Sequence, residues 1–168
     1  VSMPPAVTSA LRQPSVPLGR EMDYLRDYLA LFSRKHAGRL EVRFTVEAGA
    51  ERAVIPRLLL QPVVENCLKH AFLDDPKHAL IEISAREEGD RLVIHIWDNG
   101  RGMTPERLQE VTRGLSEPRV GGAGLGLGNV YTRMNIAAKG DCRIDIESRE
   151  GEGTAVTLVM PRRTEDEP

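Results

Sequence analysis

The sequence predicts an α+β fold, a two-layer α/β sandwich in which helices cover one face of a five-stranded mixed sheet and a further helix precedes the sheet. Five segments alternate apolar and polar residues as strands do, and several are joined by short turns typical of hairpins. Other segments, interspersed among them, repeat apolar residues every three or four positions, which indicates helices with one apolar face.

The composition is that of an ordinary globular domain of 168 residues, with 29% charged and 40% hydrophobic residues. The net charge of -2 gives no electrostatic basis for binding nucleic acid or an anionic membrane. No apolar run reaches the ~18–20 residues of a membrane span. Cys67 and Cys142 are too far apart to suggest paired metal ligands, so we expect a reduced, cytoplasmic setting. The opening Val1-Ser2-Met3 suggests a fragment, and we expect its parent to be membrane-anchored.

The first elements are a linker and a helix. Residues 1–17 contain four prolines and are predicted to be a linker or disordered. Residues 18–37 predict a helix, because Met22, Leu25 and Leu29 begin an apolar stripe at helical spacing, and Gly38 suits its end.

The central elements alternate between strands and helices. Residues 40–46 alternate as a strand, and a helix is predicted over residues 56–72, with Pro62 expected to kink its early turns. Strands follow over residues 79–87 and 92–98. Thr104-Pro105-Glu106 then begins a helix that reaches Arg113, since it supplies a cap, a first-turn proline and a first-turn acid.

The last third begins with a glycine-rich loop over residues 114–124. A helix is predicted over residues 125–139. Two strands, residues 142–148 and 154–160, complete the sheet, and residues 162–168 form a charged tail.

The segment Asp98-Asn99-Gly100-Arg101-Gly102-Met103 is the first candidate site. Leu92, Ile94, Ile96 and Asp98 share one strand face, so this carboxylate leaves the sheet on the side of the core and needs a donor there. The glycines allow close approach, so the segment suits a flat ligand with an exocyclic amine, such as adenine. A hairpin turn is the alternative interpretation of the same residues.

Three other segments carry candidate binding groups. Asn66, Lys69 and His70 share one helix face, which suits Mg²⁺ and phosphate or forms a solvated polar face. The glycine-rich stretch from Gly122 to Gly128 opens a helix and offers N–H groups to phosphate, or is a flexible loop. It fits neither G-x-G-x-x-G nor G-x-x-x-x-G-K-[ST]. Thr154 shares an inward strand face and could help Asp98, or is simply a β-branched strand residue.

Together and in this order, these segments resemble the motifs of the GHKL, or Bergerat-fold, ATP-binding superfamily. Leu60 to His70 resembles its N box, Asp98 to Gly102 its first glycine box, Gly124 to Leu127 its second, and Gly153-Thr154 its final strand. The forms Gln-Pro-x-x-Glu-Asn-x-x-Lys-His and Gly-Leu-Gly-Asn-Val-x-x-Arg are most similar to LytS/YehU-type sensor histidine kinases. The resemblance covers roughly residues 17 to 161.

For the base, the resemblance implies that Asp98 bonds the adenine amino group of ATP. Gly100 and Gly102 would line the base pocket, Met103 would complete it, and Thr154 would assist. The implied fold is an α/β sandwich over residues 39–161, with residues 18–38 as the last helix of a dimerisation segment.

For the triphosphate, the resemblance implies that Asn66 holds Mg²⁺ while Lys69 and His70 reach the phosphates. Lys69 would also act in catalysis by neutralising charge, and Glu65 as a proton acceptor or hydrogen-bonding partner. Residues 114–124 would form the ATP lid. Four residues would lie near the triphosphate: Gly122, Gly124, Leu125 and Gly126.

The acceptor histidine of such a kinase is missing from this chain. The histidines are His36, His70, His78 and His95, and none lies in the Asn-Pro-His-Phe context of the family's acceptor. The implied partners are therefore the dimerisation and phosphoacceptor segment of a homodimeric parent, and a response regulator downstream.

The leading hypothesis is a histidine kinase catalytic domain that transfers the ATP γ-phosphate to a histidine outside the chain. A second is an ATP-hydrolysing clamp, but such clamps use a glutamate four residues before the N-box asparagine, where this chain has Pro62. The others are a serine-directed anti-sigma kinase and a non-catalytic nucleotide-sensing module.

Overall fold

A computed structural model describes residues 14–36, 38–71, 78–116 and 126–164 of the chain. Within these ranges no helix is long and apolar enough to cross a membrane. A short 3-10 turn, Ala50–Arg52, precedes the strand Val54–Pro56, and a widened π-helical turn, Cys67–Ala71, continues the helix Gln61–Asn66. The strands and helices are β1 (Ser15–Pro17), α1 (Leu18–Lys35), β2 (Leu40–Val46), β3 (Val54–Pro56), α2 (Gln61–Asn66), β4 (Ala79–Glu88), β5 (Arg91–Asp98), α3 (Pro105–Ser116), α4 (Leu127–Ala137), β6 (Arg143–Arg149) and β7 (Gly153–Pro161).

The main sheet has five strands in the order β2-β4-β5-β7-β6. β2 and β4 are parallel, and the other three neighbouring pairs are antiparallel, so the sheet is mixed. The predicted α+β fold with a five-stranded mixed sheet and an N-terminal helix is confirmed. All five strands lie within one or two residues of the predicted bounds, because their two-residue alternation is a strong local signal.

One face of this sheet is buried under the helices. Ile81, Ile83, Ile94 and Ile96 are each no more than 1% exposed and pack in one cluster with residues of all four helices. Asp98 lies on the same face and is 4% exposed. The alternation along β5 therefore carries a carboxylate to the margin of the apolar core.

The N-terminal helix belongs to this core. Leu18, Met22, Leu25 and Leu29 are at most 1% exposed and lie in the same apolar cluster as the sheet. The apolar packing continues across residues 38 and 39, where a domain boundary is predicted, and that boundary stays a prediction. A role for this helix in a dimer of the parent stays a prediction.

A second, two-stranded sheet lies beside α1. β1 pairs with β3 in antiparallel register, with Val16 opposite Ile55. The prediction of a linker over residues 1–17 is therefore wrong for residues 15–17, while residues 1–13 lie outside the described part. A three-residue strand has too little alternation to be seen in the sequence, and its partner is about forty residues away.

The helix predicted over residues 56–72 begins later, at Gln61. Pro56 instead ends β3, and Pro62 falls in the first turn of α2, where its missing N–H costs no intrahelical hydrogen bond. Pro62 therefore favours the start of the helix. At this position a proline does not kink a helix, so the predicted kink is not expected.

The remaining boundaries differ slightly from the predictions. α3 continues to Ser116, so the first three residues of the predicted loop 114–124 are helical, and the rest of that loop lies outside the described part. Within the predicted tail, Arg162 N–H donates to Asp90 O at 2.8 Å and Val54 N–H donates to Arg163 O at 2.7 Å. Residues 162 and 163 are therefore bound to the domain.

Candidate nucleotide-binding site

A cavity of about 440 Å³ opens at one end of the buried sheet face. Its walls come from α2 and the π turn, the loop after β5, the start of α3, the start of α4 and the β6–β7 hairpin. Five of the predicted site residues line it, together with Cys67 and Leu127: Asn66, Asp98, Gly102, Met103 and Thr154.

The polar end of the cavity is one row of paired residues across the sheet. Ile81 lies opposite Asp98, Asp98 opposite Thr154, and Thr154 opposite Ser148. The neighbouring row on the same face is apolar, since Ile96 pairs with Ile83 and Val156. The register therefore places the carboxylate and two hydroxyls side by side where the apolar core ends.

Asp98 is the buried acceptor of the site. Its Oδ1 accepts the Gly100 N–H at 2.9 Å. Burial raises the pKa of this carboxyl, while hydrogen bonds from the Gly100 N–H, the Cys67 thiol and the Thr154 N–H oppose the rise. The Gly100 N–H thus supports the charged form, which can accept a further hydrogen bond from a ligand amine.

The loop after β5 is held against the β6–β7 hairpin. Arg101 O accepts the Gly151 N–H at 2.7 Å. Gly102 has φ +69°, and a Cβ there would lie 1.9 Å from Arg149 O. A Cβ at Gly153, where φ is +92°, would lie 2.0 Å from Asp98 O. Both glycines are therefore required by close backbone contact as well as by conformation.

A single hydroxyl connects this loop to the pocket wall. Ser148 Oγ accepts the Met103 N–H at 2.8 Å and lies 3.0 Å from Gly153 O, to which it can donate. It also lies 2.8 Å from Thr154 Oγ1, with either atom able to donate. Ser148 thus links the loop to the hairpin and orients the threonine predicted to assist base recognition.

Two other residues of the segment from Asp98 to Gly102, Gly100 and Asn99, hold the loop in place through hydrogen bonds. Gly100 is buried, donates its N–H to Asp98 and lies outside the cavity lining, so its predicted contact with the base stays a prediction. The Asn99 side chain accepts the Leu80 N–H at 2.8 Å and donates to His78 O at 3.0 Å. Asn99 therefore fastens the loop to the start of β4.

The predicted phosphate-side residues lie on α2 and the π turn. Asn66 lines the cavity, and Lys69 is exposed and lies outside its lining. Glu65 is half-buried and accepts the Gln61 Nε2–H at 2.9 Å. His70 lies in the π turn, but its side chain falls outside the described part.

The second glycine segment is described only from Gly126 onward. Gly126 precedes α4 with φ +74°, a conformation that favours glycine. The next residue, Leu127, is buried and lines the cavity. The predicted residues Gly122, Gly124 and Leu125 lie outside the described residues.

Sequence reasoning missed several residues that the structure brings to the cavity. Cys67 follows Asn66 directly, is buried, and lines the same cavity as Asp98. Burial first, and then the Asp98 charge, raises the pKa of this thiol well above its ordinary value, so it keeps its proton. Three charged residues also line the cavity: Arg101, Arg107 and Glu150.

Residues 51–164 match the family model described as the histidine kinase-, DNA gyrase B- and HSP90-like ATPase. The chain is 29% identical to the sensor protein LytS of Bacillus anthracis over 156 residues, which are 93% of this chain and 26% of that protein. It is also 29% identical to the sensor histidine kinase BtsS of Escherichia coli over 157 residues, again 26% of that protein. The chain thus spans about a quarter of the length of these relatives.

The fold resembles that of a solved histidine kinase domain. The catalytic domain of histidine kinase ThkA superposes with a TM-score of 0.65 at 16% identity, and the match covers 90% of this chain and 96% of that one. With the relatives named above, this confirms the predicted resemblance to sensor histidine kinases of the LytS type. The chain belongs to the histidine kinase-, DNA gyrase B- and HSP90-like ATPase family.

Proposed function

We propose that this chain is the ATP-binding catalytic domain of a two-component sensor histidine kinase, and that it transfers the ATP γ-phosphate to a histidine outside the chain. The observation that carries the proposal is the buried carboxylate of Asp98, which faces the same cavity as the amide of Asn66. A purine amine can bond at one end of this cavity while the phosphates extend toward the other. The relatives, a sensor protein and a sensor histidine kinase by name, support the same activity.

At the base end, Asp98 accepts from the adenine amino group. Its other hydrogen bonds fix its position, and Thr154 presents a hydroxyl at the next strand. Gly102 and Met103 supply the adjacent wall of the cavity. An acceptor aimed at a donor amine disfavours a base with a carbonyl at that position.

At the phosphate end, Asn66 supplies an amide oxygen to Mg²⁺. A single amide fits this ion, because Mg²⁺ usually takes most of its ligands from phosphates and water. When bound, Mg²⁺ neutralises phosphate charge. Lys69 and His70 contact the phosphates, and Glu65 accepts a proton or hydrogen bond, with Gly122, Gly124, Leu125 and Gly126 on the lid side.

The transfer depends mainly on positioning and charge neutralisation. The chain contributes the bound nucleotide, and the acceptor histidine comes from the dimerisation and phosphoacceptor segment of a homodimeric parent. A response regulator then receives the phosphoryl group. We also propose that this domain lies on the cytoplasmic side of a membrane-anchored parent.

An ATP-hydrolysing clamp is the second candidate from the sequence, and α2 argues against it. Pro62 occupies the first turn of α2, one helical turn before Asn66, where a clamp carries its glutamate. A proline has no side-chain base, so the isolated chain should hydrolyse ATP slowly. Turnover at clamp-like rates would favour this alternative.

The base pocket is tested by Asp98→Asn, which replaces an acceptor oxygen with a donor facing the adenine amine. Calorimetric titration with MgATP should show most of the affinity lost. The matched control is Asp90→Asn, in the exposed β4–β5 turn, which should bind as the parent chain does. Unchanged affinity in Asp98→Asn would overturn the base-pocket assignment.

The kinase activity is tested by phosphotransfer in trans. The chain, MgATP labelled at the γ-phosphate and a segment of the parent bearing the acceptor histidine should together yield acid-labile label on that histidine. Nucleotide binding without any labelled histidine would favour a nucleotide-sensing module. Label on a serine of a partner would favour an anti-sigma kinase.

A further inference from the structure

Leu58 lies in a strained turn shortly before α2. Its φ is +58°, a left-handed conformation that a leucine rarely adopts, and its side chain is 38% exposed. The turn connects β3, which ends at Pro56, to α2, which begins at Gln61. A residue persists in such a conformation only when its surroundings hold it there, so the contacts that hold Leu58 are informative.

Side chains from two helices supply these contacts. Glu21 of α1 accepts the Leu58 N–H through its Oε1 at 2.9 Å. Arg133 of α4 donates from Nη1 to Leu58 O at 3.2 Å and from Nη2 to Arg57 O. Both backbone polar groups of the strained residue are therefore bonded, one to a carboxylate from α1 and the other to a guanidinium from α4. We refer to Glu21, Leu58 and Arg133 together as the Leu58 bridge.

Glu21 is an unfavourable residue for the stability of the core. It is 4% exposed, and among the described residues its buried Oε2 has no hydrogen-bond partner. Burying a carboxylate oxygen without a donor opposes folding, so core stability alone does not account for an acid at this position. The bond from the Leu58 N–H gives Glu21 a role that an apolar side chain could not fill.

The Leu58 bridge lies between two helices that line the proposed nucleotide site. α2 is six residues long and ends at Asn66, so a displacement at its start reaches the proposed Mg²⁺ ligand. α4 packs against α2 and β3, and its first residue, Leu127, lines the cavity. Arg133 therefore joins the helix that follows the second glycine segment to the turn from which α2 begins.

We propose that Glu21 and Arg133 are positioning residues for the triphosphate, which hold Leu58 and thereby fix α2 against α4, so that Asn66 stays in place beside the phosphates. This inference rests on the proposed function, because it requires the phosphates to bind at this end of the cavity. The base pocket does not depend on the bridge, since Asp98 and Thr154 lie on β5 and β7. Loss of the bridge should therefore weaken a ligand that has phosphates and spare one that has none.

The test compares MgATP with adenosine, which carries the same base without phosphates. NMR titration measures both affinities, including weak ones. Arg133→Ala should lower the affinity for MgATP about five-fold, which corresponds to about 1 kcal/mol, and should leave the affinity for adenosine nearly unchanged. General damage to the fold would instead weaken both ligands by the same factor.

Arg163→Ala is the matched control. Arg163 also donates to a backbone carbonyl of α4, from Nη1 to Ala137 O at 3.1 Å, but at the far end of the helix and outside the cavity lining. Its replacement removes a bond of the same kind without touching the turn before α2. It should change neither affinity.

Two conservative changes separate positioning from charge. Arg133→Lys keeps the charge but loses the planar fork that reaches two carbonyls, so it should lose most of the MgATP affinity that Arg133→Ala loses. Glu21→Gln keeps an acceptor oxygen for the Leu58 N–H and should bind MgATP as the parent chain does. Glu21→Met, of similar length, has no such acceptor and should lose about as much affinity as Arg133→Ala. The two Glu21 variants also serve if the Arg133 variants fail to fold.

Three outcomes would overturn the inference: an equal loss of MgATP and adenosine binding in Arg133→Ala, full MgATP affinity in Arg133→Lys, or equal MgATP affinity in the two Glu21 variants. Asp98→Asn in the same assays separates this failure from failure of the proposed function. If Asp98→Asn loses both ligands while Arg133→Ala binds MgATP as the parent chain does, only the role of the Leu58 bridge is wrong. If Asp98→Asn binds both ligands normally, both proposals are wrong.

Discussion

Replacing Gly102 with alanine should separate the loop after β5 from the β6–β7 hairpin. The new Cβ would lie 1.9 Å from Arg149 O, whereas real Cβ atoms hardly ever approach a neighbour within 3.0 Å. The loop or the hairpin must therefore move by about 1 Å, since Arg149 O belongs to the backbone of β6. This movement displaces the part of the cavity wall that lies next to Asp98.

The cost has two parts. An alanine in the left-handed region costs about 1–3 kcal/mol at any exposed turn. The displacement also breaks or lengthens two hydrogen bonds, Gly151 N–H to Arg101 O at 2.7 Å and Met103 N–H to Ser148 Oγ at 2.8 Å. At about 0.5–1.5 kcal/mol each, they add about 1–3 kcal/mol to the loss.

A comparison with Gly89→Ala isolates the second part of the cost, which comes from the displaced hydrogen bonds. Gly89 lies in the β4–β5 turn with φ +62°, and a Cβ there meets nothing within 4 Å. Urea unfolding of both variants should give Gly102→Ala a free energy of unfolding lower than that of Gly89→Ala by about 1–3 kcal/mol. ATP affinity should fall in Gly102→Ala alone. Equal stability and equal affinity in the two variants would refute the close contact between loop and hairpin.

Three further predictions concern the polar groups of the site. Asn66→Asp should change ATP affinity in the presence of Mg²⁺ more than ATP affinity without Mg²⁺. Titrations under the two conditions measure this, and an equal loss of affinity in both would contradict a metal role for Asn66. Ser148→Ala should lower both the free energy of unfolding, by about 1–2 kcal/mol, and ATP affinity, because it releases the loop and the Thr154 hydroxyl. Ser84→Ala, on the outer face of β4, is its control, and equal effects of the two would contradict this role. Because burial raises the pKa of Asp98, its contribution to stability is present below the ordinary carboxyl pKa and lost as pH rises through the raised value. Thermal unfolding at neutral pH should therefore find ligand-free Asp98→Asn at least as stable as the parent, and a clearly lower melting temperature would contradict this.

The sheet was predictable because its signal is local. Each strand shows its own alternation, and the inward position of Asp98 follows from counting residues along β5. The start of α2 was not predictable in the same way. Pro56 and Pro62 are equally acceptable first-turn residues, and only the pairing of Val54–Pro56 with Ser15–Pro17 assigns Pro56 to a strand.

In the candidate site too, residues with a local sequence signal were predicted and residues that depend on distant contacts were missed. Asp98, Asn66 and Gly102 were predicted because they lie in segments whose residue order is distinctive. Ser148 was missed because its role arises from contacts with a loop 45 residues away and with the neighbouring strand. Its one visible signal is a polar residue on the inward face of β6, two residues after Ile146.

Cys67 was missed for a different reason. A buried cysteine usually behaves as a small apolar residue, so nothing in the sequence distinguishes Cys67 from the apolar residues of the helix. Regular helical spacing would also have misjudged its direction, because α2 changes to a π turn at this residue. Its place in the cavity lining depends on that change of geometry.

The specificity of the site ultimately depends on strand register. Asp98, Thr154 and Ser148 pair in one row, and the apolar row of Ile96 and Val156 lies directly inside it. A shift of one residue between β5 and β7 would turn Asp98 away from the cavity and expose the apolar residues beside it. The burial of Ile94 and Ile96 opposes such a shift, so the apolar core that stabilises the sheet also fixes the position of the carboxylate. Stability and recognition therefore depend on different single side chains but on the same strand register. For this reason Gly102→Ala, which displaces the loop from the hairpin, should weaken both the fold and ATP binding, while loss of the Asp98 charge should not destabilise the fold.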